Sequence, residues 1–226
     1  LDMSEFQNES TVNRLLGSPS GYVDSEAGGQ LTERVRQQPY IIVLFDEVEK
    51  AHPRVVDILL QVLEEGRLTD GRGNVANFSE TVIIMTSNLG AEYLQTTTIT
   101  EEIREAVMDA VNDHFRPEFL NRLDEIVIFH PLSDEHLRQI LDLMLHKENI
   151  LAAARGLTLE FTDRAKTWML RQNDHPEWGA RPLRRIIRQN LREPLADFLL
   201  QENPKVGTTV RISAGKAGLT FKMLKP

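Results

Sequence analysis

The sequence predicts an α/β fold. A three-layer α/β unit around a parallel sheet spans residues 1–130, and a smaller helical unit carrying a small sheet spans residues 131–226. Three observations predict it. Ile41-Ile42-Val43-Leu44-Phe45 and Thr81-Val82-Ile83-Ile84-Met85-Thr86 are near-continuous apolar runs, the pattern of strands buried on both faces of a parallel sheet. Val55, Val56, Leu59, Leu60 and Leu63 form a helical stripe between them. Pro131-Leu132-Ser133 then marks a boundary, with helical patterning beyond it.

Taken in order, Leu1 to Ser4 reads as the tail of a strand, and Glu9 to Leu16 as a short helix. Gly17-Ser18-Pro19-Ser20-Gly21 ends that helix, because these residues favour turns. Gly28 to Gln38 reads as helical, strand 41–45 follows, and Pro53 to Glu64 is a helix. Leu68 to Asn77 holds Asp70-Gly71-Arg72-Gly73-Asn74, a loop or hairpin signal. Strand 81–86, a helix over 103–115 and a third strand over 125–129 complete the first unit. Ser133 is a good N-cap with Asp134 and Glu135 in the first turn, although Ser133 with His136 does not make a full capping box. The helix it opens runs to about Arg155 and stops at Gly156. Leu157 to Phe161 alternates like a half-buried strand. Helices over 163–171 and 180–200 and short strands over 208–212 and 219–224 follow.

Composition narrows the function. Hydrophobic content is 41% and charged content 27%, so a packed core is expected. The formal net charge of −8 lacks the basic footprint of a nucleic-acid binder, so no nucleic-acid partner is expected. The chain has no cysteine, which excludes disulfides and thiolate metal sites. Its apolar runs fall short of the ~18 residues a membrane helix needs, so no membrane partner is expected. Leu1-Asp2-Met3-Ser4-Glu5-Phe6 has no signal-peptide pattern and no initiator Met, and reads as the start of a piece of a longer protein.

Chemistry concentrates at strand ends. Strand 41–45 runs into Asp46-Glu47, and ligands of open α/β sheets bind at the carboxyl ends of strands. Two acids there have the shape of a Walker B motif; the alternative is a strand that stops at a solvated turn. The next strand ends in Thr86-Ser87-Asn88. Asn88 can orient a water or touch a γ-phosphate; equally, Asn forms turns unaided. Arg116 and Arg122 flank Pro117-Glu118-Phe119-Leu120-Asn121 before the 125–129 strand, where an arginine can reach a neighbouring molecule's phosphate or pair with an acid. Arg181 opens a helix ahead of Pro182 and can reach a phosphate from the second unit; Arg184, Arg185, Arg188 and Arg192 read as a solvated face.

The order of these elements, with the strings Val43-Leu44-Phe45-Asp46-Glu47-Val48-Glu49-Lys50-Ala51-His52-Pro53 and Ile83-Ile84-Met85-Thr86-Ser87-Asn88-Leu89-Gly90, closely resembles the second ATPase module of the Clp/Hsp100 family of AAA+ proteins. The disaggregase branch, of ClpB and Hsp104/Hsp78 type, fits best. The resemblance covers nearly the whole chain, from Asp2 to about Leu200. It implies an AAA+ large subdomain, N-terminally incomplete, over 1–130 and a small α+β subdomain over 131–226. It implies an ATPase using ATP and Mg²⁺, with Asp46 supporting the metal through water, Glu47 the catalytic base and Asn88 sensor 1. Arg122 resembles the arginine finger acting on the next subunit, Arg116 is a second candidate, and Arg181 resembles sensor 2. Gly21-Tyr22-Val23 resembles the pore loop that grips polypeptide, and residues 66–77 a lower pore loop. The implied assembly is a homo-hexamer that threads unfolded or aggregated polypeptide, works with an Hsp70 chaperone system, and resides in the cytoplasm, or in the mitochondrial matrix of a eukaryote.

Two departures qualify the resemblance. The family's phosphate cradle, G-x-x-x-x-G-K-[ST], does not occur in this sequence; Gly215-Lys216-Ala217 lacks the pattern. Truncation ahead of Leu1 is the expected explanation, and this chain alone is expected to bind ATP poorly. Asp24 follows Tyr22-Val23 where the family usually has Gly, which leaves substrate preference open. Two other functions compete: a regulatory unfoldase feeding a protease, and a non-catalytic oligomerisation or binding fragment. The protease-docking tripeptide Ile/Leu-Gly-Phe/Leu is missing from residues 91–100, which disfavours the first. A DNA motor is disfavoured by the net charge and by the Gly-Tyr-Val loop.

Overall fold

The computed structural model describes residues 1–17, 28–94, 98–175 and 178–224. Two compact units divide the chain, one over Leu1–Leu94 with Thr98–Phe129 and one from His130 onward. The segment Gly21-Tyr22-Val23-Asp24 lies outside the described residues.

In the first unit the helices are α1 (Glu9–Leu16), α2 (Gln30–Gln37), α3 (Pro53–Glu65), α4 (Glu101–His114) and α5 (Pro117–Leu120). The strands are β1 (Ile42–Phe45), β2 (Arg67–Thr69), β3 (Val75–Asn77) and β4 (Val82–Met85). β1 and β4 pair in parallel with Ile42 opposite Val82 and Phe45 opposite Met85. β2 and β3 form the hairpin suggested by Asp70-Gly71-Arg72-Gly73-Asn74. Before α1, Asp2 makes an isolated parallel bridge to Asp46, and a 3₁₀ turn at Met3–Phe6 replaces the rest of the expected strand tail.

Local chemistry sets the boundaries of α3. Pro53 occupies its first turn, where a missing N–H costs nothing, and His52 Nδ1 accepts from the Arg54 N–H at 3.2 Å. Gly66, at φ 64°, ends it in the left-handed conformation, donating to the Val62 carbonyl. Its buried face is Val55, Ile58, Leu59 and Val62, so the stripe is rotated from the expected one: Val56, Leu60 and Leu63 are only partly buried. A close approach of backbones marks the α1–α2 junction. A Cβ on Gly29 would lie 2.3 Å from the Leu15 carbonyl oxygen, and the Gly17–Gly28 bridge closes the base of the 18–27 segment.

Two expectations fail here. The runs 41–45 and 81–86 do not form strands buried on both faces. Val43 and Phe45 enter the core with Met3, Phe6 and Leu59, but Ile42 and Val82 stay 68% and 56% exposed, and Leu44 and Ile84 share their open face. No helix among the described residues covers that face. The strand over 125–129 is also not formed. Val127 and Phe129 are exposed, and the segment has no ladder partner among the described residues, so β-like composition has no backbone to pair with.

The second unit holds α6 (Asp134–Ala153), β5 (Thr158–Phe161), α7 (Asp163–Arg171), α8 (Arg181–Ile187), α9 (Glu193–Glu202), β6 (Thr209–Ala214) and β7 (Leu219–Leu224). The sheet order is β5-β6-β7, the first pair parallel and the second antiparallel. Its core joins Leu141 and Leu145 of α6, Met169 of α7, Leu183 and Ile187 of α8, and Val210 and Ile212 of β6. The capping box at α6 is complete after all: Ser133 Oγ accepts from the His136 N–H, and His136 Nδ1 accepts from the Ser133 N–H at 3.4 Å. Imidazole supplies the acceptor that Glu or Gln usually provides.

The expected helix over 180–200 is not one α-helix. A π turn at Arg188–Arg192 separates α8 from α9. Pro194 lacks an N–H and cannot donate to the carbonyl four residues back, so the ladder there must loosen. Asn190 Nδ2 donates to the Ile186 carbonyl at 3.2 Å, and the Glu193 N–H closes the wide turn on the Arg188 carbonyl.

Candidate active site

Parallel pairing of β1 with β4 carries two polar strand ends to one edge. The Thr86 N–H donates to the Phe45 carbonyl at 2.9 Å, and the Val48 N–H donates to the Thr86 carbonyl at 2.9 Å. Asp46 and Glu47 are therefore brought to the same edge as Asn88, which lies 41 residues beyond Glu47 in sequence. Asp46 is exposed at the tip of β1, and its carboxylate accepts from the Thr86 hydroxyl. Asn88 Nδ2 lies 3.3 Å from Glu47 Oε1.

Glu47 sits in the left-handed region at φ 58°, ψ 50°. A side chain there costs about 1 kcal/mol or more, and such strain persists only where neighbours hold it. Two do. The Glu47 N–H donates to Thr86 Oγ1 at 3.0 Å, and Lys50 Nζ donates to Glu47 Oε2 at 2.5 Å. The Glu47 carboxylate holds the Lys50 ammonium above the usual lysine range, with desolvation a smaller opposing effect. Glu49 completes the cluster. Its Oε1 accepts from the Asn88 N–H at 3.3 Å and from Asn88 Nδ2 at 3.4 Å, while its Oε2 is buried without a hydrogen-bond partner. Asn88 is thus shared between two carboxylates.

The donors at this edge are hard oxygens: three carboxylates and a hydroxyl. That chemistry fits Mg²⁺, which takes one or two carboxylates plus water and substrate phosphate. Of the three carboxylates, Asp46 is the one that is exposed. No group of three His, Asp or Glu side chains among the described residues is arranged as an all-protein metal cage.

Arg116 and Arg122 lie elsewhere in the first unit. Arg116 caps α5 and pairs with Asp57 at 3.2 Å; Arg122 follows α5 and pairs with Glu64 at 3.0 Å. Both partners are on α3, whose first turn follows the Glu47 turn, and Glu64 lies about 16 Å down that helix from Pro53. These exposed pairs contribute little to stability. Arg122 is thus tethered near the C-terminal end of α3, whereas Asp46 and Glu47 precede its N-terminal end. Arg181 is exposed at the start of α8 in the second unit, ahead of buried Pro182. A concavity of about 370 Å³ lined by Asp142, Leu145, His146, Asn149, Phe161 and Lys166 lies in that unit and includes none of the acid-cluster residues.

Sequence reasoning singled out Asp46, Glu47 and Asn88 but gave no role to Thr86, Glu49 or Lys50. Lys50, three residues after Glu47, was a visible signal. Thr86 was not, since its contact depends on strand register.

Two family models match the chain. The AAA domain (Cdc48 subfamily) matches residues 1–126, and the C-terminal, D2-small domain of ClpB protein matches residues 132–212. The chaperone protein ClpB of Brucella melitensis biotype 1 is 48% identical over 225 residues, covering 98% of this chain and 26% of that protein. The chaperone protein ClpB of Staphylococcus aureus (strain COL) is 43% identical over 231 residues, covering all of this chain and 27% of that protein. The chain therefore spans about a quarter of the length of the relatives it matches. Among solved structures, the closed state of Hsp104 with ATPγS and FITC casein has a TM-score of 0.86 at 37% identity, over 99% of this chain and 39% of that one. The extended conformation of the S. cerevisiae Hsp104:casein complex has a TM-score of 0.86 at 36% identity, over 98% of this chain and 39% of that one.

Proposed function

We infer that this chain, which belongs to the AAA+ ATPases of ClpB/Hsp104 type, is the module of an ATP-driven protein unfoldase and disaggregase that hydrolyses ATP between subunits of a homo-hexamer. Residues 1–130 are assigned to the large subdomain and residues 131–226 to the small one. The observation that carries the reading is the convergence of Asp46, Glu47 and Asn88 at the carboxyl ends of two paired parallel strands.

In this reading Asp46 would hold Mg²⁺, through water, and the ion would supply charge neutralisation at the phosphates. Glu47 accepts a proton from the attacking water, and the Asn88 amide orients that water or the γ-phosphate. Arg122 acts on the next subunit, a role favoured by its tether at the far end of α3, with Arg116 as the second candidate. Arg181 senses nucleotide from the small subdomain. Tyr22, flanked by Gly21 and Val23, grips the substrate; an aromatic ring offers contact area without sequence preference. The casein bound by Hsp104 in the two similar structures supports polypeptide as the substrate class. An Hsp70 system is the proposed partner, in the cytoplasm or, in a eukaryote, the mitochondrial matrix.

The test is Glu47→Gln in the full-length protein. ATP binding is expected to persist while turnover falls by about 10²-fold or more, the scale of a lost general base. Undiminished turnover overturns the assignment. The isolated 226-residue chain, without a G-x-x-x-x-G-K-[ST] sequence, is expected to bind ATP weakly. Micromolar binding by isothermal titration contradicts that.

A further inference from the structure

We propose that Thr86 is the positioning residue of the acid pair: one hydroxyl fixes the backbone of Glu47 and the carboxylate of Asp46 together. The inference rests on the ATPase reading of the site. Thr86 Oγ1 accepts from the Glu47 N–H at 3.0 Å and donates to Asp46 Oδ1, so the two bonds use the hydroxyl as both acceptor and donor. Its backbone N–H and carbonyl add bonds of 2.9 Å to Phe45 and Val48. Four hydrogen bonds therefore join a single residue of the β4 end to residues 45–48.

This arrangement has a specific consequence. Glu47 and Asn203 are the only non-glycine residues with positive φ among the described residues. Glu47 opens a turn, so its carboxylate direction follows its backbone. Releasing its N–H lets the backbone relax toward the ordinary helical or extended regions and carries the carboxylate away from Asn88. The same release frees the Asp46 carboxylate to rotate. Asn88 stands two residues beyond Thr86, so the sensor and both acids are referenced to one stretch of β4. A displacement of about 1 Å at a reacting group costs up to ~10²-fold in rate.

The experiment uses the full-length assembled protein. Thr86→Val keeps the β-branched shape without the hydroxyl. It is expected to lower kcat about ten- to a hundredfold, to raise the Mg²⁺ concentration for half-maximal turnover severalfold, and to leave KM for ATP within about twofold. Thr86→Ser, which restores the hydroxyl, is expected within about threefold of wild type. If Thr86→Val fails to assemble, Thr86→Cys, of similar volume and with a weak donor, takes its place and should fall between Ser and Val. Equal losses in Thr86→Ser and Thr86→Val, or a loss in KM for ATP alone, overturn the proposal. Glu47→Gln measured alongside separates the two claims. An inactive Glu47→Gln with a fully active Thr86→Val removes only the Thr86 inference, whereas a fully active Glu47→Gln removes the ATPase reading beneath it.

Discussion

Asp70 and Asp46 each follow the last residue of a strand in the first unit, yet one is buried and the other open. Asp70 is 5% exposed, and its carboxylate accepts from the Arg72 N–H at 2.9 Å, the Asn74 N–H at 2.8 Å and Asn74 Nδ2 at 2.9 Å. It is consumed by its own hairpin. Burial alone would raise its pKa, but these hydrogen bonds, with Arg36 nearby, outweigh burial and hold the carboxyl below the usual range. Asp46 stays exposed and is oriented by a residue of the neighbouring strand. A carboxylate saturated by local backbone builds a turn; one oriented from across a sheet and left open is available to a ligand.

The largest expected contrast is in turnover. Asp46→Asn in the full-length protein is expected to lower ATP turnover by about 10²-fold, since it removes charge where the metal is proposed to bind, with little change in the urea midpoint. A variant as active as wild type would erase the distinction from Asp70. Next comes stability. Asp70→Ala strands two backbone donors and is expected to cost about 2 kcal/mol in urea unfolding of the 226-residue chain. The sign with pH follows from the depressed folded pKa. The contribution is complete above the unfolded value of about 3.9 and is lost as pH falls through the folded value. The gap between wild type and Asp70→Ala should hold from neutrality to about pH 4 and narrow below it; a gap that widens in acid would contradict the cause given. The smallest effect is Ser133→Ala, about 1 kcal/mol, from loss of the α6 cap. It sharpens the comparison because Ser133 is a second purely local anchor, in the other unit.

How much of this was legible in the sequence follows the same division. Asp46, Glu47 and Asn88 were visible because apolar runs end abruptly in polar residues, and contiguous pattern is what a sequence displays. The hairpin was visible because turn chemistry is local. Thr86 was hidden because its partners are 39 and 40 residues away and depend on register. The completed α6 cap was missed because His136 is not the expected residue type, although its ring nitrogen accepts equally well. The 125–129 strand and the double-sided burial of β1 and β4 failed for a shared reason. Composition reports what a segment can pair with or bury against, not whether a partner is there. Ile42, Leu44, Val82 and Ile84 have the composition of a buried face and are open.

The π turn between α8 and α9 settles a question of phase. Leu183, Ile187, Leu191 and Leu195 are buried in one core, each four residues beyond the last. On an unbroken α-helix, four residues advance about 400°, so three such steps drift about 120° and would carry Leu195 off the face that Leu183 occupies. A turn closed between residues five apart holds more residues per revolution, so each advances by less and much of the drift is taken back. Proline thus does more here than interrupt a helix: by loosening the ladder into a wide turn it lets a period of four serve where 3.6 is the rule, and Leu183 and Leu195 reach the same core across about twelve residues of chain.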